Sequence, residues 1–292
     1  MKKTTLILGC GDIGTQLGKQ LIEAGHRVIG ARRNVEALAG TGIEAVALDI
    51  TDEAALAALP DADIVIYTVT ADRFEESAYE AAYPMGLKSV LQTFGAREKK
   101  PERVFFVSST SVYAQQGGEE VDETSVTEPH GFSGILMREA EQALLAHDLP
   151  GTAIRFSGIY GPGRDRLIRQ VSEGRIAAAN PPMYSNRIHR DDCAGVIAHL
   201  IQLALDGKPL EPVYLASDCD SAPLHEVMAW IAGRLKVETP EVIQSPLRRR
   251  SSKRCNNRLL LESGYTFRYP TFREGYEDVL RQGGFIPAAE SV

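Results

Sequence analysis

A doubly wound α/β fold, with a parallel sheet covered by helices on both faces, is the architecture this sequence predicts. Short, nearly continuous apolar runs recur through the first 156 residues, separated by helix-like segments. Unbroken apolar strands of this kind are buried on both sides, as strands of parallel sheets are. The first run also ends in a glycine-rich turn, Gly9-Cys10-Gly11-Asp12-Ile13-Gly14, that opens directly into a helix.

The elements follow in order. Thr5-Leu6-Ile7-Leu8 reads as a strand, and Gly14 to Ala24 as a helix with Leu17 and Leu21 on one face. Arg27-Val28-Ile29-Gly30, Glu44-Ala45-Val46-Ala47-Leu48, Asp63-Ile64-Val65-Ile66-Tyr67-Thr68 and Arg103-Val104-Phe105-Phe106-Val107-Ser108 are the next strands. Thr152-Ala153-Ile154-Arg155-Phe156 follows a second long helix. After Tyr160 the pattern breaks into loops, Gly161-Pro162-Gly163 and Asn180-Pro181-Pro182, with short helices and one further strand, Pro212-Val213-Tyr214-Leu215-Ala216. The expected division is a Rossmann-type domain over 1–160 and a smaller C-terminal substrate lobe over 161–292. The segment 186–217 is expected to return to the main sheet.

Composition narrows the function classes. The chain has 292 residues, 32 Lys+Arg against 39 Asp+Glu, and a net charge of −7. An acidic balance argues against nucleic-acid binding, which needs excess positive charge to displace counterions. The apolar run near the N-terminus, Leu6-Ile7-Leu8, is too short for a signal peptide, and no stretch approaches the roughly 18 apolar residues of a membrane span. Cys10, Cys193, Cys219 and Cys255 form no CxxC pair or metal-ligand spacing. These features together predict a cytoplasmic protein with separate thiols and no metal.

In the glycine-rich turn, Gly9 permits the tight turn, Gly11 lets a pyrophosphate approach the backbone, and Gly14 allows close helix–strand packing. Asp12 and Ile13, between these glycines and just ahead of the helix whose N-terminus faces the phosphates, belong to the same cofactor set. An acidic residue about 20 positions on would favour NAD by binding the ribose 2′-hydroxyl. This chain has Arg32 there, with Arg33 beside it, which favours a 2′-phosphate and hence NADP over NAD; a solvated basic pair is the alternative. Asp49 and Ile50 stand where adenine is read, and Val69 and Thr70, beyond the strand ending at Thr68, belong to the same cofactor set.

These residues resemble the extended short-chain dehydrogenases/reductases, the NAD-dependent epimerase/dehydratase group, nearly end to end. Val107-Ser108-Ser109-Thr110-Ser111-Val112-Tyr113 resembles the family's strand with its catalytic Ser/Thr, and Asn186-Arg187-Ile188-His189-Arg190-Asp191-Asp192-Cys193-Ala194 its characteristic helix start. Ile154-Arg155-Phe156-Ser157-Gly158-Ile159-Tyr160-Gly161-Pro162-Gly163 resembles the segment bordering the nicotinamide, which implies cofactor contacts from Phe156 and Ile159. Relatives are commonly dimers through a four-helix contact, so the resemblance implies a homodimer, with the helices near 77–95 and 133–147 in that place. The chain departs from the family at its centre. Aligning Glu141 with the family's downstream Glu puts Ser133 at the catalytic Tyr position and Met137 at the Lys position, and none of the ten tyrosines has a Lys four residues on. The resemblance is to an atypical branch with GxGxxG and without YxxxK.

Four groups remain as catalytic candidates. Ser109 could hydrogen-bond a substrate oxygen, or bond its own backbone at a strand end. Ser133 opens the second long helix, where an N-cap role competes with a catalytic one. His130 could act as acid or base near neutral pH, or be a solvated loop residue. Tyr113 could donate a proton. For substrate binding the candidates are Tyr160, Arg164 beyond the glycine-proline loop, and Arg249 and Arg250, which lie in a stretch with five cations in the seven positions after Leu247. His189, Asp191 and Asp192 read as structural, the carboxylates offsetting a helix dipole. The expected function is an NADP-dependent oxidoreductase or epimerase/dehydratase-like enzyme for a small, anionic or sugar-nucleotide-like substrate. The alternative is a non-catalytic module that senses NADP and acts through a protein partner.

Overall fold

The structure is a computed structural model in which residues 2–238, 241–243 and 252–287 are described. It divides into two compact units, residues 1–112, 127–155 and 194–214, and residues 113–126, 156–193 and 215–292.

The first unit is built on β1 (Thr4–Leu8), α1 (Asp12–Glu23), β2 (Arg27–Arg32), β3 (Glu44–Ala47), α2 (Glu53–Ala57), β4 (Ile64–Tyr67), α3 (Glu76–Glu80), α4 (Gly86–Gly95) and β5 (Arg103–Ser109). After β6 (Glu119–Val121), which belongs to the second unit, it resumes with α5 (Phe132–Leu145) and β7 (Gly151–Phe156). The sheet is seven-stranded in the order β11-β7-β5-β4-β1-β2-β3, with β11 spanning Val213–Ala216. Its ladders from β3 to β5 are all parallel. This is the Rossmann-type doubly wound sheet. Strand order reverses at β1, which lies between β2 and β4, so the loops after these strands diverge and leave a crevice at their carboxyl ends. Leu6, Ile7 and Leu8 and the whole of Ile64–Tyr67 are buried, as a sheet covered on both faces requires.

One buried ionic cluster ties α5 to the sheet. Glu141 accepts from Ser108 Oγ at 2.5 Å and from Arg155 Nε at 3.0 Å and Nη2 at 2.8 Å. Both charges are nearly inaccessible, 3% for Glu141 and 7% for Arg155, so their pairing offsets part of the cost of burying them.

The second unit contains β8 (Gly158–Tyr160), α6 (Arg166–Ser172), β9 (Arg175–Ala177), β10 (Arg187–His189), α8 (Leu224–Leu235), β12 (Glu241–Ile243), β13 (Lys253–Cys255), α9 (Arg258–Glu262) and α10 (Phe272–Gln282); α7 (Arg190–Leu205) begins here and continues into the first unit. The strand expected over 212–216 is β11 of the main sheet, and beyond it the second unit holds short strands that sequence reading did not foresee. Three parallel two-strand pairs, β8 with β10, β9 with β12 and β6 with β13, each join segments distant in sequence. Strands of three residues carry too few positions for an alternating pattern to stand out. The core of this unit lies around Ile168, Val227, Met228, Ile231 and Phe272. At the start of α7, Asp192 is buried and accepts from Tyr265 Oη at 2.8 Å and from the backbone N–H groups of Arg268 and Tyr269 at 2.8 and 3.0 Å. It pins the 265–269 loop, a structural role.

Candidate functional site

The crevice at the switch point holds a cavity of about 430 Å³, within the range of ligand sites. Its floor is the glycine-rich turn. Gly9 has φ +78°, and a Cβ there would lie 2.6 Å from the backbone of Val69, so no other residue fits the turn as it stands. Thr68 locks the turn to β4, its Oγ1 donating to the Leu8 and Gly9 carbonyls at 3.0 and 2.9 Å. Around Gly11, by contrast, a Cβ would meet nothing closer than the Gly9 carbonyl at 3.7 Å. The open side of the turn is therefore at Gly11, where backbone can meet a ligand directly.

Gly11 caps α1 and offers no side chain to its N–H groups. The twelve-residue helix thus keeps donors and a positive dipole end for an anion. Asp12 intrudes on this. Its exposed carboxylate accepts from the Ile13 N–H at 2.8 Å, so a bound phosphate would share that end of α1 with a fixed negative charge. Ile13 and Gly14 are buried behind the turn, where a Cβ on Gly14 would press on Ile7 at 3.0 Å.

The walls come from three loops. Arg32 ends β2, with Arg33 and Asn34 beyond it; after β3 stand Asp49, Ile50 and Thr51, and after β4, Val69, Thr70, Ala71 and Asp72. Arg32 is half-buried and donates from Nη1 to the Cys10 carbonyl at 3.1 Å, which fixes it against the turn. Arg33 is exposed and pairs with Asp72. Asp49 is held below the usual carboxylate range by the backbone N–H and hydroxyl of Thr51, at 3.0 and 2.7 Å. The last wall is made of small residues, Ala78, Ala81 and Ala82. The chain passes them through a π-helical turn, Ala81–Met85, that contains Pro84.

Gly9, Gly11, Arg32, Arg33, Asp49, Ile50, Val69 and Thr70, all assigned to a cofactor from sequence, thus line one cavity. Sequence reading missed Asn34, Thr51, Asp72 and the alanine wall. Alanines in a helical segment carry no chemical signal, and Asp72 matters only because folding brings its loop beside Arg33.

The catalytic candidates divide between the units. In the first, Ser109 ends β5, and its Oγ accepts from the Ser111 N–H at 3.1 Å, which leaves the hydroxyl hydrogen for another acceptor. Gly134 lets the start of α5 lie against this turn, since a Cβ there would come 2.4 Å from the Ser111 carbonyl oxygen. Ser133 does not cap the helix as its N-cap reading expected. Gly131 is the cap, and Ser133 sits inside the first turn, because α5 begins at Phe132. His130 is exposed just before it, and Met137 is buried.

In the second unit, Tyr113 is buried and donates its hydroxyl to the Asp122 carbonyl at 2.7 Å. Phe156 is buried and Ile159 half-buried. Tyr160 is buried, stacked on Tyr276 at 4.4 Å between ring centroids and edge-on to His189 at 5.3 Å; burial pushes its phenol far above the ordinary tyrosine range. Arg164 is exposed. Arg249 and Arg250 lie outside the described residues. The four cysteines are separate thiols, and among the described residues no cluster of His, Cys, Asp or Glu could hold a metal. No described helix is long and apolar enough to cross a membrane.

The chain is similar to known proteins along most of its length. No curated protein sequence matches the chain. A protein of Methylobacillus flagellatus described as an NAD-dependent epimerase/dehydratase is 35% identical over 97% of this chain and 100% of its own, with a TM-score of 0.82. Two more distant structures share the fold. The human epimerase family protein SDR39U1, solved with NADPH, is 18% identical over 94% of this chain and 98% of its own, with a TM-score of 0.79. The Bordetella bronchiseptica enzyme WbmG, solved with NAD and UDP, is 16% identical over 98% and 97%, also at 0.79. The model of the NAD dependent epimerase/dehydratase family matches residues 5–218, which takes in the glycine-rich turn, all seven strands of the main sheet and the start of α7, and the chain belongs to that family.

Proposed function

We propose that this chain binds NADP(H) in the switch-point cavity and works as an oxidoreductase or epimerase/dehydratase-like enzyme on a small anionic or sugar-nucleotide-like substrate. One observation carries the reading: the cavity whose floor is an open glycine turn carries Arg32 and Arg33, and no carboxylate, at the end of β2. A 2′-hydroxyl is read by an acidic residue in that place, whereas guanidinium groups suit a 2′-phosphate. When bound, the nicotinamide supplies a hydride donor or acceptor. The turn and the N-terminus of α1 hold the pyrophosphate, Arg32 and Arg33 the 2′-phosphate, and Asp49 with Ile50 the adenine.

For the substrate, Ser109 is the orienting group, since its hydroxyl hydrogen is not engaged by its own turn. The proton is moved by His130 or Ser133. Of the remaining candidates, Tyr113 commits its hydroxyl to a backbone carbonyl. Arg164 is an exposed cation suited to an anionic substrate. The reading includes a cytoplasmic homodimer: Met85 and Ile135, 58% and 49% exposed, leave apolar surface on helical segments of the first unit. Sedimentation equilibrium reads this directly, and a monomer at micromolar concentration discards it.

Titration of the protein with NADPH and NADH, followed by nicotinamide fluorescence, is the decisive experiment. Preferential NADPH binding, with turnover among nucleotide sugars and carbonyl compounds, is the expected result; binding of neither overturns the reading. The second reading, a non-catalytic NADP sensor, is favoured by the buried Met137 at the family's Lys position, which supplies no charge to lower a neighbouring pKa. A sensor binds NADP and NADPH with different affinity and changes its partner or oligomeric state in response.

A further inference from the structure

The rim of the cavity carries two opposite charges in direct contact. Arg33 donates from Nη1 and Nη2 to the two carboxylate oxygens of Asp72, each at 2.6 Å. The residues come from different loops, after β2 and after β4, and both line the cavity. Each raises the charge preference of the other: the carboxylate holds Arg33 protonated, and the guanidinium holds Asp72 below the usual carboxylate range. The two arginines thus differ in kind. Arg32 is half-buried and fixed to a backbone carbonyl, whereas Arg33 offers its two-pronged face to a side-chain carboxylate.

A guanidinium fork binds carboxylate and phosphate in the same geometry, and one face cannot serve two anions at once. We propose that Asp72 is a specificity-determining residue for the cofactor: it occupies the Arg33 face until a 2′-phosphate displaces it, and so sets how strongly the site prefers NADP to NAD. The inference rests on the NADP reading above and adds to it the residue that opposes the preference. Displacement is feasible because both partners are exposed, 62% and 58%, and pairs of that kind are weak. After displacement Asp72 stays on the rim and repels the phosphate dianion. A ligand without a 2′-phosphate leaves the pair intact, so the effect falls on 2′-phosphorylated ligands alone. Asp49 lies within electrostatic reach of both partners, but Thr51 already holds its carboxylate.

The test is calorimetric binding of adenosine 2′,5′-bisphosphate and of AMP to the full chain, in wild type, Asp72→Asn, Arg33→Gln, the double variant of these two, and Arg32→Gln. Asp72→Asn is expected to tighten the bisphosphate about tenfold at low ionic strength, with AMP unchanged, and the gain shrinks as salt screens the charges. In the Arg33→Gln background the gain falls to about twofold, the residue of charge repulsion alone. Circular dichroism checks that the exposed substitutions leave the fold intact. Equal gains with and without Arg33, or no gain at all, overturn the role of Asp72. If Arg33→Gln weakens the bisphosphate while Asp72→Asn changes nothing, the NADP reading stands and the proposal for Asp72 falls. If wild type does not distinguish the bisphosphate from AMP, and neither Arg32→Gln nor Arg33→Gln alters binding, both fall together.

Discussion

Gly9 and Gly11 stand two residues apart in one turn, yet alanine at each is expected to fail differently. At Gly9 the backbone sits at φ +78°, which costs an L-residue about 1–2 kcal/mol. The new Cβ would also lie 2.6 Å from Val69 Cα and N and 2.8 Å from the Thr68 carbonyl carbon. These are backbone atoms of the strand end that Thr68 ties to the turn, so β1 and β4 must separate, at a further cost of about 1–3 kcal/mol. Gly9→Ala should therefore destabilise the protein by about 2–5 kcal/mol. At Gly11 the Cβ meets only the Gly9 carbonyl oxygen at 3.7 Å, ordinary contact, and the loss is that of a glycine cap, below about 1 kcal/mol. The added methyl projects into the open side of the turn, so Gly11→Ala should fold normally and lose NADPH binding by tenfold or more. Urea unfolding followed by far-UV circular dichroism measures the first quantity, and NADPH fluorescence titration the second. Equal stability losses at the two positions would refute the packing account. Undiminished NADPH binding by Gly11→Ala would refute the assignment of the turn to the cofactor.

Further perturbations probe the frame around the site. Glu141→Gln removes the carboxylate that Arg155 pairs with in the buried cluster and should cost about 3–5 kcal/mol in urea unfolding; a loss below 1 kcal/mol would refute that dependence. Asp192→Ala strands the backbone N–H groups of Arg268 and Tyr269, and should destabilise by about 3 kcal/mol, with faster hydrogen exchange at those two residues as its signature. Asp218 is buried, and burial pushes its carboxyl up to about 8, against a partial opposing pull from Arg187. Its folded-state pKa lies above the unfolded value, so its contribution is complete at acid pH and is lost as pH rises toward 8. Stability should fall by about 1 kcal/mol per pH unit over that window, and Asp218→Asn should flatten the slope; an unchanged slope would assign it to other groups.

The sheet strands were legible because their physics is local. Thr5 to Leu8 and Ile64 to Tyr67 are nearly unbroken apolar runs, and a strand covered on both faces needs nothing else to announce it. The glycine turn was legible for a similar reason, since a left-handed backbone position and a close approach each leave glycine as the fitting residue. The short pairs of the second unit were not. β13 pairs with β6 across more than 130 residues, and three-residue strands are held by a register that no local pattern encodes. Ser133 shows the same limit at a helix end. Its residue type suits an N-cap, but α5 starts at Phe132 with Gly131 as its cap, and Ser133 falls inside the first turn.

The sequence by itself determined the class of sheet, the glycine-rich turn and the basic residues at the end of β2, because each follows from residue type over a few adjacent positions. Only the tertiary structure decided what those residues meet. It set Arg32 against the Cys10 carbonyl and Arg33 against Asp72, it joined Glu141 to Ser108 and Arg155, and it lined the cavity with alanines. Electrostatic partnership depends on distance through space, and the chain reports only distance along itself.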